Sequence, residues 1–120
     1  MTLNDPRPYE TTYIITPDLN PDEFAQVIEK FNNVLKEHGG VITNQEVWGF
    51  RKLAYTISKK NTGYYVFTEF MAPPSIVEPL ERDYSYDERI IRYLTVRLDK
   101  DAVAYNEKRR AKLRGEVVTD

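Results

Sequence analysis

The residues best suited to chemistry in this sequence are cations placed where they could meet phosphates. Arg51 and Lys52 stand side by side in the stretch WGFRKLAYTISKKNTGYY, which is otherwise rich in strand-forming residues. A strand with two adjacent cations must turn at least one of them away from its buried face, because side chains alternate along a strand. We therefore expect this pair to be available to an anionic partner.

The apolar pattern around this pair predicts a bend in the strand. Trp48 and Phe50 precede the pair at even positions, whereas Leu53 and Tyr55 follow it at odd positions. A change of phase by one residue moves side chains to the other face of a sheet. Gly49 favours a β-bulge at this point.

Other cations are further candidates for phosphate contact. Arg7 precedes the first predicted strand, and Arg89 and Arg92 flank the start of the last one, at odd and even positions that point to opposite faces. A basic cluster near the end of the chain comprises Lys108, Arg109, Arg110, Lys112 and Arg114. A local basic patch can bind phosphates although the whole chain has a net charge of -2. Surface solubility remains the alternative interpretation for any single cation.

Catalytic chemistry is poorly supported. The chain has no Cys, which excludes a thiolate nucleophile and a Cys zinc site, and its one His, His38, lies at the predicted end of a helix, where it complements the helix dipole. The sequence contains no Gly-rich phosphate loop, metal-ligand spacing or nucleophile elbow. Asp83, Asp87 and Glu88 are expected to form a solvated acidic turn. We expect no enzyme activity, no cofactor, no metal and no small-molecule substrate.

Bulk composition indicates one small domain outside the membrane. The chain has 120 residues, 41% hydrophobic and 30% charged, which supports one core with a well-solvated exterior. It has no apolar run long enough to span a membrane, so no membrane partner is expected. The first residues lack the pattern of a signal peptide, and with the absence of Cys this favours the cytoplasm.

The elements that must position these cations follow the order βαββαβ. Asn20, Pro21 and Glu23 form a helix-start signal, and Gly39 ends that helix. Pro79 lies inside the second predicted helix and predicts a kink. The strands are predicted at 9–16, 41–59, 64–71 and 89–98, the helices at 21–38 and 72–84, and a turn at KKNTG in which Asn61 and Gly63 tolerate positive φ.

This order predicts an α+β, ferredoxin-like fold: a four-stranded antiparallel sheet with both helices on one face. The third strand carries apolar and aromatic residues at both odd and even positions, so the other sheet face is a candidate binding surface. We expect the domain to span residues 1–100. Residues 101–120 are expected to be a charged C-terminal extension that is flexible in isolation.

Three stretches carry a resemblance to a known family. They are RPYET at residues 7–11, DERIIRYLTVRLDK at residues 87–100, and the stretch containing Gly49, Arg51-Lys52, Leu53-Ala54-Tyr55, Ile57, Lys59 and Gly63-Tyr64. Together they resemble bacterial small-subunit ribosomal protein six, in the right order over most of residues 7–100. Pro79 and the stretch YSYDERI differ from the family residues expected there, which leaves the local contacts at these positions open.

The resemblance implies a non-catalytic, cytoplasmic protein of the small ribosomal subunit. It also implies binding to the central domain of 16S rRNA together with ribosomal protein eighteen, among other small-subunit components. A basic partner would suit an acidic chain, because RNA affinity grows with the number of phosphates neutralised. By this analogy Arg7, Arg51, Lys52, Arg89 and Arg92 face the rRNA or the partner. The cations of the basic cluster, from Lys108 to Arg114, would contact the partner or the rRNA.

Other functions share the same element order and stay open at this point. A ligand-sensing regulatory module would need a small-molecule pocket. An acylphosphatase would need a phosphate-cradling loop after its first strand, but the stretch TPDLNPDE there is acidic. An RNA-recognition motif would need its third-strand signature, of which only Gly63 and Tyr64 match.

Overall fold

The protein folds around one four-stranded antiparallel sheet, seen here in a computed structural model that describes residues 5–57 and 59–113. The strands are β1 (Arg7–Ile15), β2 (Val41–Ile57), β3 (Lys60–Ala72) and β4 (Ile90–Arg97). The helices are α1 (Pro21–Glu37), α2 (Val77–Tyr86), preceded by a 3₁₀ turn at Pro74–Ile76, and α3 (Lys100–Leu113). The strand order is β2-β3-β1-β4, and the element order up to β4 confirms the predicted ferredoxin-like fold.

The core lies between the sheet and the helices α1 and α2. Tyr13, Phe31 and Tyr84 come from β1, α1 and α2, and their ring centroids lie 4.5 to 5.5 Å apart. The Tyr84 hydroxyl lies 2.9 Å from Thr11 Oγ1, which gives this buried polar group a partner. Burial raises the pKa of both Tyr13 and Tyr84 above the ordinary value, so both phenols stay neutral.

The first helix starts as its sequence signal predicts. Pro21 is its first residue, and the Asn20 backbone N–H donates to Glu23 Oε1 at 3.3 Å. The second helix differs from the prediction. It begins at Val77, so Pro79 lies in its first turn, where backbone N–H groups have no acceptor within the helix. The prediction that Pro79 lies inside the helix, where it would remove a hydrogen bond and cause a kink, was therefore wrong.

The irregularity predicted in β2 is present, with register shifts on both sides of Arg51 and Lys52, between Val47 and Gly49 and between Lys52 and Ile57. The β2–β3 register shifts between Val47 and Gly49, and Gly49 has a φ of 73°. Trp48 consequently lies against Phe67 on one sheet face, whereas Phe50 lies against α1 on the other. The even positions of Trp48 and Phe50 therefore do not place the two side chains on one face, because the register shifts at Gly49.

The turn between β2 and β3 also differs from the prediction. Ile57 pairs with Lys60, and Lys59 carries the positive φ, 63°. Gly63 lies within β3, where a Cβ atom would sit 2.2 Å from Cγ2 of Ile14. A glycine is needed there for close packing of a side chain on the strand rather than for a turn.

The sheet face opposite α1 and α2, called the open face below, is partly covered by α3. The Asn106 side-chain amide donates to the Glu10 carboxylate on this face, and the Arg109 guanidinium lies 3.6 Å from it. Residues 100–113 are therefore helical. Whether the extension is flexible in isolation stays a prediction. No helix within the described ranges is long and apolar enough to cross a membrane.

Candidate nucleic-acid interface

The central feature of the open face is a segment of β2 that is out of register with β3. Lys52 pairs with Thr62, and the next pair is Ile57 with Lys60. Residues 53–56 therefore stand opposite Asn61 alone, and the surplus residues bulge outward. We call residues 53–56 the arch. Tyr55 of the arch reaches β4, where the Arg92 guanidinium carbon lies 5.3 Å from its ring centroid.

Beneath the arch is an apolar hollow of about 220 Å³. Buried Ile14 and Leu53, 6% and 7% exposed, form part of it, together with Tyr65 from β3. Tyr55 and Arg92 also line it, and Tyr55 is 59% exposed. The hollow thus combines a buried apolar base with an exposed aromatic ring and a cation.

Arg51 and Lys52 are both exposed, as predicted, but they lie on different sides of β2. Arg51 pairs with Gly63, and its guanidinium carbon lies 5.6 Å from the Trp48 ring centroid on the open face. Its Nη1 also donates to the Phe50 carbonyl at 2.9 Å. The neighbouring Lys52 points to the opposite side of the strand.

Arg89 is engaged in an ion network at the start of β4. Its Nε and Nη2 donate to the two carboxylate oxygens of Asp87 at 2.9 and 2.8 Å, and Lys30 Nζ donates to Asp87 at 2.8 Å. The hydrogen bonds from Arg89, with that from Lys30, hold the pKa of Asp87 well below its usual range. The Asp87 side chain is only 5% exposed, so the predicted solvated acidic turn was wrong at this residue.

These geometries can be compared with known proteins. The family model described as Ribosomal protein S6 matches residues 8–97 of this chain. The chain belongs to the ribosomal protein S6 family. Small ribosomal subunit protein bS6 of Parabacteroides distasonis is 51% identical over 102 residues, which cover 85% of this chain and 86% of that protein. The bS6 protein of Porphyromonas gingivalis is 48% identical over 103 residues, covering 86% and 88% of the two chains.

A solved structure agrees with this assignment. The crystal structure of 30S ribosomal protein S6 from Thermotoga maritima matches with a TM-score of 0.76 and 31% identity, over 91% of this chain and 99% of that one. The resemblance inferred from the sequence is confirmed. The predicted localisation of the chain, in the small ribosomal subunit in the cytoplasm, is confirmed as well. The relatives are ribosomal proteins by name, which favours this interpretation over the sensing module, the phosphatase and the RNA-recognition motif.

Within this S6-family fold, the remaining predicted site residues are scattered. Arg7 begins β1, seven positions along the strand from Ile14, and its Nη1 contacts the carbonyl oxygens of Asp5 and Pro6 at 3.4 and 3.3 Å. Arg109 pairs with Glu10, and Lys108 is exposed on α3. Three of the predicted contacts, the side chains of Arg110 and Lys112 and all of Arg114, lie outside the described residues.

The open face is divided by charge. Arg51 and Arg92 lie at the end near the β2–β3 turn, on the two edge strands of the sheet and two rows apart. Glu10 and Glu69 pair across β1 and β3 farther along the same face, next to α3, and Glu46 of β2 lies between the two ends, where it accepts a hydrogen bond from Trp48 Nε1 at 3.0 Å. Among residues 5–57 and 59–113 no three His, Asp or Glu side chains are grouped to hold a metal ion. The arrangement favours an anionic ligand at one end of the face only.

Sequence reasoning missed the hollow, because Tyr55 and Arg92 are 37 positions apart in the sequence. The sequence gives one signal that this segment has a buried side of its own. That signal is the alternation of apolar residues after Arg51 and Lys52, at Leu53, Tyr55 and Ile57. That signal predicts a face but not what the face packs against.

Proposed function

We propose that this chain is a non-catalytic RNA-binding component of the small ribosomal subunit. It binds the central domain of 16S rRNA together with ribosomal protein eighteen. Membership of the ribosomal protein S6 family is the observation that carries this proposal. The structure adds two exposed cations, Arg51 and Arg92, at one end of the open face.

A partner protein is part of the proposal because the 17 Lys and Arg residues of this chain are outnumbered by 19 Asp and Glu residues. The net charge is -2, and Arg89 and Arg109 are each paired with a carboxylate in the fold. Since RNA affinity grows with the number of phosphates neutralised, a basic partner would supply the missing contacts. Exposed apolar side chains on β4, Leu94 at 61% and Val96 at 40%, offer such a partner an apolar surface on the open face.

The positions of the cations support a proposal for each individual contact. Arg51 and Arg92 are proposed to bind rRNA phosphates, and Lys52 extends this basic region on the other side of β2. Arg7 lies at the far end of β1 and would meet a separate part of the rRNA or the partner. Arg89 has a structural role in the fold, and its contact to rRNA remains a proposal. The cations of the basic cluster, from Lys108 to Arg114, are proposed to contact the partner or the rRNA.

Sucrose-gradient sedimentation of the tagged protein from a lysate tests the proposed function. We expect the protein to sediment with the small subunit at low magnesium and with whole ribosomes at high magnesium. A tagged protein that stays at the top of both gradients would contradict the proposal. Stripping with high salt should release it, because its contacts to RNA are largely ionic.

A further inference from the structure

The hollow beneath the arch has no occupant in the function proposed so far. It is bounded by chain segments that lie far apart in sequence, and its volume of about 220 Å³ is lined by apolar side chains. Ile14 and Leu53 are buried within it, whereas Tyr55 presents 59% of its surface to solvent. An apolar cleft with one cation at its rim suits a flat ring that has a negative charge attached nearby.

We propose that the hollow binds one unpaired nucleobase of the ribosomal RNA, stacked on Tyr55. Arg92 and Arg51 bind the phosphates on either side of that base. This inference rests on the proposed function and names the part of the RNA that the open face contacts. Unpaired bases are the parts of RNA that proteins recognise most readily, because their faces and edges are accessible.

Charge complementarity supports RNA as the occupant. The guanidinium groups of Arg51 and Arg92 each lie over an aromatic ring, at 5.6 and 5.3 Å. A guanidinium over a ring is held in orientation while its N–H groups remain able to donate to a phosphate. The carboxylates of Glu10 and Glu69 are kept at the other part of the face, next to α3.

The backbone of the arch adds a means of contacting the edge of the base. Residues 53–56 stand opposite one residue of β3, so their N–H and C=O groups are outside the regular β2–β3 ladder. Such groups can donate to and accept from a nucleobase lying under the arch. Stacking on Tyr55 tolerates any base, since every base has an aromatic face.

The test measures binding of the full chain, with ribosomal protein eighteen present, to a transcript of the 16S central domain. Tyr55→Ala should weaken binding about tenfold, within the range of base–aromatic stacking. The slope of affinity against salt should stay nearly unchanged, because Arg51 and Arg92 keep their charges and a guanidinium can still reach a phosphate without the ring. Tyr55→Phe should bind like the wild type. Tyr86→Ala is the matched control, since Tyr86 is a 78% exposed tyrosine on the helical side.

A second variant fills the hollow instead of removing its exposed ring. Ala54 lines the hollow and is exposed, so Ala54→Leu should leave the fold intact and reduce binding by a similar factor. A 4-thiouridine-substituted transcript should crosslink to the peptide that contains Tyr55 or to the one that contains Tyr65. Melting temperatures of all variants confirm that the comparison is between folded proteins.

The outcomes separate this inference from the proposed function. If the wild type binds the transcript and both Tyr55→Ala and Ala54→Leu bind equally well, the nucleobase site is overturned and the proposed function stands. Binding of the chain to ribosomal protein eighteen is also measured without RNA. If Tyr55→Ala weakens that protein–protein binding by the same factor as it weakens RNA binding, the hollow is occupied by a protein side chain and the inference is wrong. If the wild type binds no RNA with its partner present, both proposals fail.

Discussion

Asp87 shows how one residue that looks like surface charge becomes part of the fold. Its carboxylate is nearly buried and accepts hydrogen bonds from Arg89 and Lys30, which come from the start of β4 and from α1. A buried carboxylate is tolerated only when it is paired and hydrogen-bonded. The network therefore ties α1 to the turn that leads into β4.

Replacing Asp87 by Asn should lower the free energy of unfolding by about 2 kcal/mol at neutral pH, the size of charge-assisted hydrogen bonds. The native pKa of Asp87 is below its unfolded value, so its stabilisation is present above that unfolded pKa and is lost as the pH falls toward the native pKa. Urea unfolding should therefore show the difference between the wild type and Asp87→Asn shrinking below about pH 3.9. Glu88→Gln, at an exposed neighbour, is the control and should change little. A difference that is constant across this pH range would contradict the role given to Asp87.

At the scale of elements, the open face is shaped by irregularities in β2 and by α3. The bulge at Gly49 and the arch at residues 53–56 each shift the register of β2 against β3. Bulges are common where a strand must aim side chains at a binding site. In α3, contacts to the sheet include two side chains, Asn106 and Arg109, that both bind Glu10.

The docking of α3 should depend on Glu10. A helix of 14 residues is marginal by itself in water, so its order depends on contacts with the sheet. Glu10→Ala removes the hydrogen bond from Asn106 and the ion pair with Arg109, which together stabilise the docked helix by about 1.4 kcal/mol. This loss corresponds to about tenfold faster amide exchange in residues 101–113. Hydrogen exchange followed by mass spectrometry measures this. The core strands should keep their protection.

Glu107→Ala is the matched control for α3, because Glu107 is an exposed carboxylate on the same helix. It should leave the exchange of residues 101–113 near that of the wild type. Equal exchange in Glu10→Ala and the wild type would show that α3 is held by other contacts. Rapid exchange of α3 in the wild type itself would support the prediction that the extension is flexible in isolation.

At the scale of the whole molecule, the charge distribution decides what the protein can bind alone. Residues 1–45 contain 3 cations and 7 anions, whereas residues 46–120 contain 14 cations and 12 anions. The fold places Arg51 and Arg92 at one end of the open face and the Glu10–Glu69 pair at the other. This division favours one oriented contact with RNA over non-specific adhesion.

The double variant Arg51→Ala with Lys52→Ala should weaken rRNA binding in the presence of ribosomal protein eighteen. If both side chains contact phosphates, the slope of log affinity against log salt should fall by about 1 to 2, since each phosphate contact contributes about 0.7 to 0.9. Filter binding over a salt series measures this. The charge-matched control is Lys36→Ala with Arg82→Ala, at exposed positions on the helices. Equal slopes in the two double variants would refute the assignment of Arg51 and Lys52 and leave the family assignment intact.

The sequence by itself determined the element order, the first helix, the presence of a bulge near Arg51 and the family. These features rest on local signals: apolar periodicity, the residues from Asn20 to Glu23 at a helix start, and a short motif around Gly49. The tertiary structure decided the roles of Asp87, Gly63 and Tyr55. Each role depends on a contact with a residue distant in the chain, Lys30 for Asp87, Ile14 for Gly63 and Arg92 for Tyr55. Local pattern contains no information about such pairs, because they form only when the sheet register and the helix packing bring separate segments together.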